Sequence, residues 1–217
     1  MHYQAFFFDF DGVLADSVEV KTRAFAKLFE PHGPEIVKRV MNHHRLHGGM
    51  TRVDKFDHYY REYLGTSLND QEMADLCRRF AALVVDEVVA APEILGAGEF
   101  LQRWSSRLDC FVISAAPEEE IREIVKRRGM TGHFKEVLGA PTEKKTNLQS
   151  LLDKYGLNPL RCCFFGDAES DYEAALACGV DFFGIAPDKD APLLQLHPGI
   201  RWRKDFKDLE KVLVSKP

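Results

Sequence analysis

The chain has 217 residues and a formal net charge of −5, with 45% hydrophobic and 29% charged residues. This length suits one sizeable domain, or a compact domain with a smaller insertion, and the composition excludes a disordered or collagen-like chain. The negative charge, without a basic stripe in the sequence, predicts that nucleic acid is not a partner.

The cysteines and the first residues bear on where the protein works. Cys110, Cys162 and Cys163 fall within apolar runs, so we expect them to be reduced core residues. Asp9 interrupts the first apolar run, which is unlike a signal peptide, and no apolar run has the length of a membrane span. The sequence therefore predicts a cytoplasmic protein without a membrane partner and leaves its oligomeric state open.

Five short apolar runs have the length of buried strands, and helical patterns separate the last four. The predicted strands are residues 5–10, 110–115, 134–139, 162–167 and 180–185. This alternation predicts an α/β fold with a Rossmann-like, doubly wound parallel sheet as its core. A last helix that covers the sheet is predicted to begin near Asp205.

The first two predicted strands are separated by about a hundred residues, far more than one crossover helix needs. Helical spacing is visible in this segment at residues 18–30, 34–47, 52–64 and 70–90. We therefore predict a helical cap domain of residues 16–90 inserted into a core domain of residues 1–15 and 91–217.

Two groups of side chains in the predicted cap are interpreted as structural. The aromatic residues of the third helix are predicted to form its inner face rather than a substrate site; they are Phe56, Tyr59, Tyr60 and Tyr63. His43, His44 and His47 have no fourth ligand at a suitable spacing, so a zinc site is not predicted.

Polar side chains follow the predicted strands at the points where each strand ends. In an open parallel sheet, ligands bind beyond the carboxyl ends of the strands, so these side chains should meet at one edge. In chain order they are Asp9 and Asp11, Ser114, Lys144 and Lys145, and Asp167 with Asp171.

These residues resemble a known family. The segments DFDGVLADS (9–17), VISAAP (112–117), a lysine before a helix, and GDAESD (166–171) are similar, in order, to the four motifs of the haloacid dehalogenase superfamily. The predicted helical insertion resembles the first cap type of that superfamily, found in phosphoglycolate phosphatase-like and β-phosphoglucomutase-like enzymes.

The resemblance implies roles for the two carboxylates of the first motif. Asp9 would be the nucleophile that forms an aspartyl-phosphate, and Asp11 would be the general acid and then the general base. A magnesium ion would be held by Asp9, the backbone carbonyl of Asp11 and Asp167. Asp171 would bind the ion directly or support the residues that do.

The other motifs imply how the phosphate would be bound. Ser114, helped by the backbone N–H groups of Ala115 and Ala116, would bind the phosphoryl oxygens. A lysine would neutralise phosphate and nucleophile; a count back from the first leucine of the following helix favours Lys144, with Lys145 as the alternative.

The segment HGGMTR (47–52) and Lys55 are predicted to bind the substrate where caps of related enzymes approach the active site. Arg52 is the residue expected to bind a second anionic group, and a solvated loop is the competing interpretation.

The function predicted from these residues is a magnesium-dependent phosphatase that acts on a small phosphorylated metabolite. A sugar phosphomutase of the β-phosphoglucomutase type remains an alternative because it needs the same residues. A phosphorylated receiver-like module fits poorly because it lacks the long insertion, and a dehalogenase is disfavoured because Asp11 serves phosphate-ester chemistry. The sequence leaves the identity of the substrate open.

Overall fold

A computed structural model describes residues 3–213. Its centre is a six-stranded sheet in the order β3-β2-β1-β4-β5-β6, and every neighbouring pair is parallel. The strands are β1 (Ala5–Phe8), β2 (Asp109–Pro117), β3 (Glu136–Ala140), β4 (Cys162–Gly166), β5 (Asp181–Ile185) and β6 (Trp202–Arg203). From β1 the chain adds β2 and β3 on one side and β4, β5 and β6 on the other, so the direction of winding changes at β1. This confirms the predicted doubly wound α/β fold.

Helices connect the strands and cover both faces of the sheet. Those that follow β2 are α6 (Glu118–Arg127), α7 (Lys144–Tyr155), α8 (Glu169–Ala177), α9 (Pro192–Leu196) and α10 (Leu209–Leu213). A further helix, α5 (Ala97–Trp104), precedes β2.

Strand β1 lies in the middle of the sheet and is buried on both faces. Phe6 and Phe8 contribute to one hydrophobic cluster and Phe7 to the other, as the two-residue repeat of a strand requires. This packing fixes the direction of β1, and its carboxyl end delivers Asp9 to the edge where the candidate site lies.

Four helices lie between β1 and α5 and are called here the helical insertion (residues 18–90). They are α1 (Val18–Phe29), α2 (Pro34–Leu46), α3 (Arg52–His58), which continues into a π-helical turn (Tyr59–Tyr63), and α4 (Asp70–Ala90). Asn69 and Glu72 form a capping box that starts α4. The division into core and cap domains at residues 15–16 and 90–91 stays a prediction.

The interior of the insertion is aromatic. Phe25 packs against Phe56, Tyr59 and Phe80 with ring centroids 4.3–5.8 Å apart. Phe56 and Tyr59 are fully buried, and Tyr60 and Tyr63 are partly buried against the same cluster. These side chains therefore form the core that holds the insertion together.

Four elements differ from the sequence-based expectation. Helix α5 was not predicted because Pro92, Gly96 and Gly98 obscure its pattern, yet Phe100 and Trp104 pack on Phe6. Strand β6 and helix α9 are too short to give a periodic signal. The last helix begins at Leu209 rather than near Asp205.

Candidate active site

Three carboxylates meet at the carboxyl ends of β1 and β4. Asp9, Asp167 and Asp171 each offer an oxygen atom within 4.8 Å of the others. The backbone N–H of Phe10 donates to Asp9 Oδ1 at 2.7 Å and orients that side chain. Gly12 has a φ of +77°, and a Cβ there would lie 2.2 Å from Asp167 Oδ2. Only glycine therefore allows the loop to pass this closely.

Burial and mutual repulsion dominate the electrostatics of this cluster. Burial, followed by the charges of Asp9 and Asp171, raises the pKa of Asp167 well above its usual range. Burial raises the pKa of Asp171 to about 7, although Lys144 opposes that shift. The cluster therefore has less positive charge around it than its carboxylates require.

Lys144 is the cation in contact with this cluster. It is the first residue of α7, and its Nζ donates to Asp9 Oδ2 at 2.8 Å and to Asp171 Oδ1 at 2.6 Å. Although burial opposes it, the two carboxylates raise the pKa of Lys144 above its usual value. Lys145 is exposed, so of the two lysines considered from the sequence, Lys144 is the one that faces the site.

Asp11 is held by two residues of α1 and the turn before it. Ser17 Oγ donates to Asp11 Oδ1 at 2.6 Å, and Lys21 forms an ion pair with Oδ2. Burial alone would raise the pKa of Asp11, but Lys21, Ser17 and Lys144 together hold it below its usual value. The roles of Ser17 and Lys21 were not predicted from the sequence. Ser17 and Lys21 are four residues apart at the beginning of α1, which places both side chains on the same face of the helix. This spacing could have indicated that they act together.

Ser114 lies near the end of β2 and is buried. Its Oγ accepts a hydrogen bond from the backbone N–H of Ala116 at 3.1 Å. Ser114, Ala115 and Ala116 line the same small cavity as Asp9 and Asp11. The structure thus brings the predicted phosphate-binding residues beside the two carboxylates, with the N–H of Ala116 already engaged.

The helical insertion closes the other side of this cavity, which has a volume of about 50 Å³. Lys55 lines it and donates to His44 Nδ1 at 2.7 Å and to the backbone oxygen of Gly48 at 3.4 Å. Burial, followed by the charge of Lys21, lowers the pKa of Lys55 to about 7. His44 is itself buried, so it is a core residue whose ring nitrogen contacts a lysine.

Arg52 also lines the cavity, but its guanidinium is occupied. It forms an ion pair with Glu120 of α6, and these side chains are only 7% and 8% exposed. The guanidinium carbon lies 4.6 Å from the centroid of the Phe80 ring. Arg52 and Glu120 lie on separate helices that are far apart in the chain, so nothing in the sequence indicated this pair.

The carboxylate cluster fits a divalent cation. Its donors are hard oxygens, which magnesium prefers, and the raised pKa of Asp167 shows that the cluster lacks positive charge. Beside it lie the buried hydroxyl of Ser114 and the ammonium of Lys144, which contacts Asp9 and Asp171. Such an arrangement can bind a phosphate group and present a carboxylate to it.

Comparison with known proteins identifies the class. The model of the haloacid dehalogenase-like hydrolases matches residues 3–179, so the chain belongs to this family of hydrolases. A phosphoglycolate phosphatase from Mannheimia succiniciproducens is 26% identical over 223 residues, which cover 95% of this chain and 96% of the relative. The prediction of an enzyme of the haloacid dehalogenase-like hydrolase family is thereby confirmed.

Solved structures with the same fold cover nearly the whole chain. A predicted phosphoglycolate phosphatase from Haemophilus somnus has a TM-score of 0.75 and 19% identity and covers 98% of this chain and 99% of its own. A β-phosphoglucomutase from Clostridium difficile has a TM-score of 0.76 and 17% identity, with 96% of both chains covered. At these identities the likeness concerns the fold.

The structure also bears on membrane association. Within residues 3–213, none of the helices combines the length and the apolar character needed to cross a bilayer.

Proposed function

We propose that this protein is a magnesium-dependent phosphatase that hydrolyses a small phosphorylated metabolite through an aspartyl-phosphate on Asp9. The observation that carries the proposal is that Asp9, whose Oδ2 contacts Lys144, lines one cavity with Asp11 and Ser114. A nucleophilic carboxylate must attack as an anion, and Lys144 supplies positive charge beside it.

Two steps balance the reaction. In the first, an oxygen of Asp9 attacks phosphorus, the bond from phosphorus to the leaving oxygen breaks, and Asp11 gives that oxygen a proton. In the second, water attacks phosphorus, Asp11 takes a proton from the water, and the bond to Asp9 breaks. Asp11 ends each cycle protonated and ready for the next leaving group.

The environment of Asp11 suits the second step directly. Lys21 and Ser17 favour its ionised form, which is the form that accepts a proton from water. The first step needs the protonated form. A substrate phosphate supports that form because its negative charge raises the pKa of Asp11 and competes for Lys21.

The phosphoryl oxygens would be bound by the remaining polar groups of the cavity. Ser114 Oγ and the backbone N–H of Ala115 would supply donors, and Lys144 would supply charge through its contact with Asp9. The N–H of Ala116 donates to Ser114 Oγ, which leaves the hydroxyl proton of Ser114 free for a phosphoryl oxygen.

Asp9, Asp167 and the backbone carbonyl of Asp11 would hold the magnesium ion. When bound, the ion offsets the negative charge that gathers between the phosphate and the carboxylates. Asp171 Oδ1 accepts a hydrogen bond from Lys144, the same lysine that contacts Asp9, and its Oδ2 accepts one from the backbone N–H of Ala168. This supports a role for Asp171 in positioning Lys144.

The experiment is a screen of phosphorylated metabolites for release of inorganic phosphate, with phosphoglycolate included because of the relatives. We expect release that requires magnesium, stops with EDTA and is lost in Asp9→Asn. The control Asp153→Asn changes an exposed carboxylate of α7 and should retain activity. Isomerisation of a sugar phosphate without phosphate release would instead indicate a phosphomutase.

A further inference from the structure

Lys55 is a buried lysine without an acidic side chain at ion-pair distance among the described residues. Its side chain lines the cavity, and the residue is 2% exposed. The two hydrogen-bonding partners of Nζ, His44 Nδ1 and the oxygen of Gly48, are neutral because burial and the charge of Lys55 lower the pKa of His44 to about 2. Among residues 3–213, no carboxylate lies within ion-pair distance of Lys55.

Burying a charged ammonium group raises the free energy of the folded protein unless an anion lies beside it. Removing an ammonium from water is compensated in proteins by a carboxylate, a phosphate or a similar partner. The acidic groups whose charges act on Lys55 are committed elsewhere, since Asp11 contacts Ser17 and Lys21, and Asp167 belongs to the carboxylate cluster. Since Lys55 lies at the wall of an active-site cavity, the simplest source of the anion that would pair with it is the ligand.

The other cation predicted for this purpose is already paired. Arg52 forms its ion pair with the buried Glu120, so binding a ligand anion through Arg52 would leave Glu120 uncompensated. An ammonium has three donors, and the contacts of Lys55 account for two. Lys55 therefore retains a donor, and an anion bound there would favour its charged form.

Resting on the phosphatase function proposed above, we propose that Lys55, positioned by His44, binds a second anionic group of the substrate. The substrate is then a small phosphate monoester that carries a carboxylate or a second phosphate in addition to the group transferred. Lys55 and Ser114 line the same cavity, which favours a short compound that can contact both.

The test compares three short esters that differ in the second group. They are phosphoglycolate with a carboxylate, ethylene glycol bisphosphate with a second phosphate, and 2-hydroxyethyl phosphate with a neutral hydroxyl. We expect the wild-type protein to prefer one of the two doubly anionic esters over the neutral ester by roughly a hundredfold in kcat/KM, as loss of a charge-assisted hydrogen bond implies. The preferred ester identifies the anion.

The variant Lys55→Met should remove this preference, and Lys55→Arg should keep part of it. His44→Gln should raise KM for the preferred ester more than it changes kcat, because His44 acts by positioning Lys55. The matched control Lys38→Met removes an exposed lysine from α2 and should keep the full preference. Thermal melting checks that each variant folds, and Lys55→Gln replaces Lys55→Met if the latter does not.

Two results would overturn the inference while the phosphatase proposal stands. One is equal kcat/KM of the wild-type protein on all three esters, and the other is an equal loss on all three in Lys55→Met. Calorimetric titration of the esters into Asp9→Asn, with and without Lys55→Met, separates the two proposals. A Lys55-dependent preference in binding without turnover in the wild-type protein would contradict only the phosphatase proposal.

Discussion

Lys144 Nζ lies 2.8 Å from Asp9 Oδ2, which joins the first residue of α7 to the residue that follows β1. The same nitrogen contacts Asp171 Oδ1 at 2.6 Å. One ammonium thus links segments that are far apart in the chain, and its charge is shared between two buried carboxylates. This contact is the electrostatic centre of the candidate site.

The first prediction concerns the two adjacent lysines. Lys144→Ala should lower kcat by roughly a hundred- to a thousandfold because it removes a charge that stabilises the transition state. Lys145→Ala should change kcat less than twofold or so, since its side chain is exposed. Steady-state kinetics on one phosphomonoester would measure both, and the reverse order of losses would refute the placement of Lys144.

The second prediction concerns the loop between α2 and α3. A Cβ on Gly49 would lie 1.9 Å from Ser170 Oγ, whereas one on Gly48 would meet nothing closer than Ala168 Cβ at 3.9 Å. Gly49→Ala should therefore displace the loop from α8 and lower kcat/KM by about tenfold or more, since small misplacements at a site are costly. Gly48→Ala is the matched control, and equal effects in the two variants would exclude this steric cause.

The third prediction concerns the ion pair between α3 and α6. Arg52→Ala should destabilise the fold by about 3–5 kcal/mol, because it leaves the buried carboxylate of Glu120 unpaired. The double variant Arg52→Met with Glu120→Leu should recover most of this loss. Urea unfolding at neutral pH measures the free energies. Additive losses in the double variant would mean that the two side chains act independently.

The fourth prediction concerns acid stability. Burial, followed by the charges of Lys55 and Lys21, lowers the pKa of His44 to about 2 in the folded protein. Below the ordinary histidine pKa of about 6.5 the unfolded chain binds a proton that the folded chain does not, so stability is lost as the pH falls. This group alone contributes a loss of up to about 1.4 kcal/mol per pH unit.

The measurement is urea unfolding of the wild-type protein and His44→Gln between pH 7 and pH 5. The free energy of unfolding should fall more steeply with decreasing pH in the wild-type protein than in the variant. The difference in slope should correspond to about one proton in this window. His43, whose pKa burial lowers to about 4, leaves a residual slope in both proteins. Parallel slopes would show that His44 takes up its proton while folded.

The sequence predicted the fold and the sheet edge of the site because both follow from short, periodic patterns. The apolar run of β1 and the acidic motifs after β1 and β4 lie at strand ends, and parallel strands bring those ends together. The preference for Lys144 over the adjacent Lys145 depended on counting back from the first leucine of the following helix. In the structure, Lys144 is the first residue of α7 and contacts Asp9.

The contacts between separate helices could not be predicted in the same way. The pairing of Arg52 with Glu120 and of Lys55 with His44 depends on how the insertion packs, and one sequence carries no record of that packing. Lys21 lay on a correctly predicted helix, but its contact with Asp11 needed the rotation of α1 about its axis. These residues determine what fills the cavity, so substrate recognition was the least predictable part.

The central claim is that Asp9 carries the phosphoryl group between substrate and water. The measurement is intact-protein and peptide mass spectrometry of Asp11→Asn after incubation with magnesium and p-nitrophenyl phosphate, whose leaving group needs no proton. Asp11→Asn cannot activate water, so we predict one added phosphoryl group on the peptide that contains Asp9 and none in Asp9→Asn. Two results would contradict this role of Asp9. One is turnover by the wild-type protein while Asp11→Asn carries no phosphoryl group on Asp9, and the other is phosphate release by Asp9→Asn at the wild-type rate.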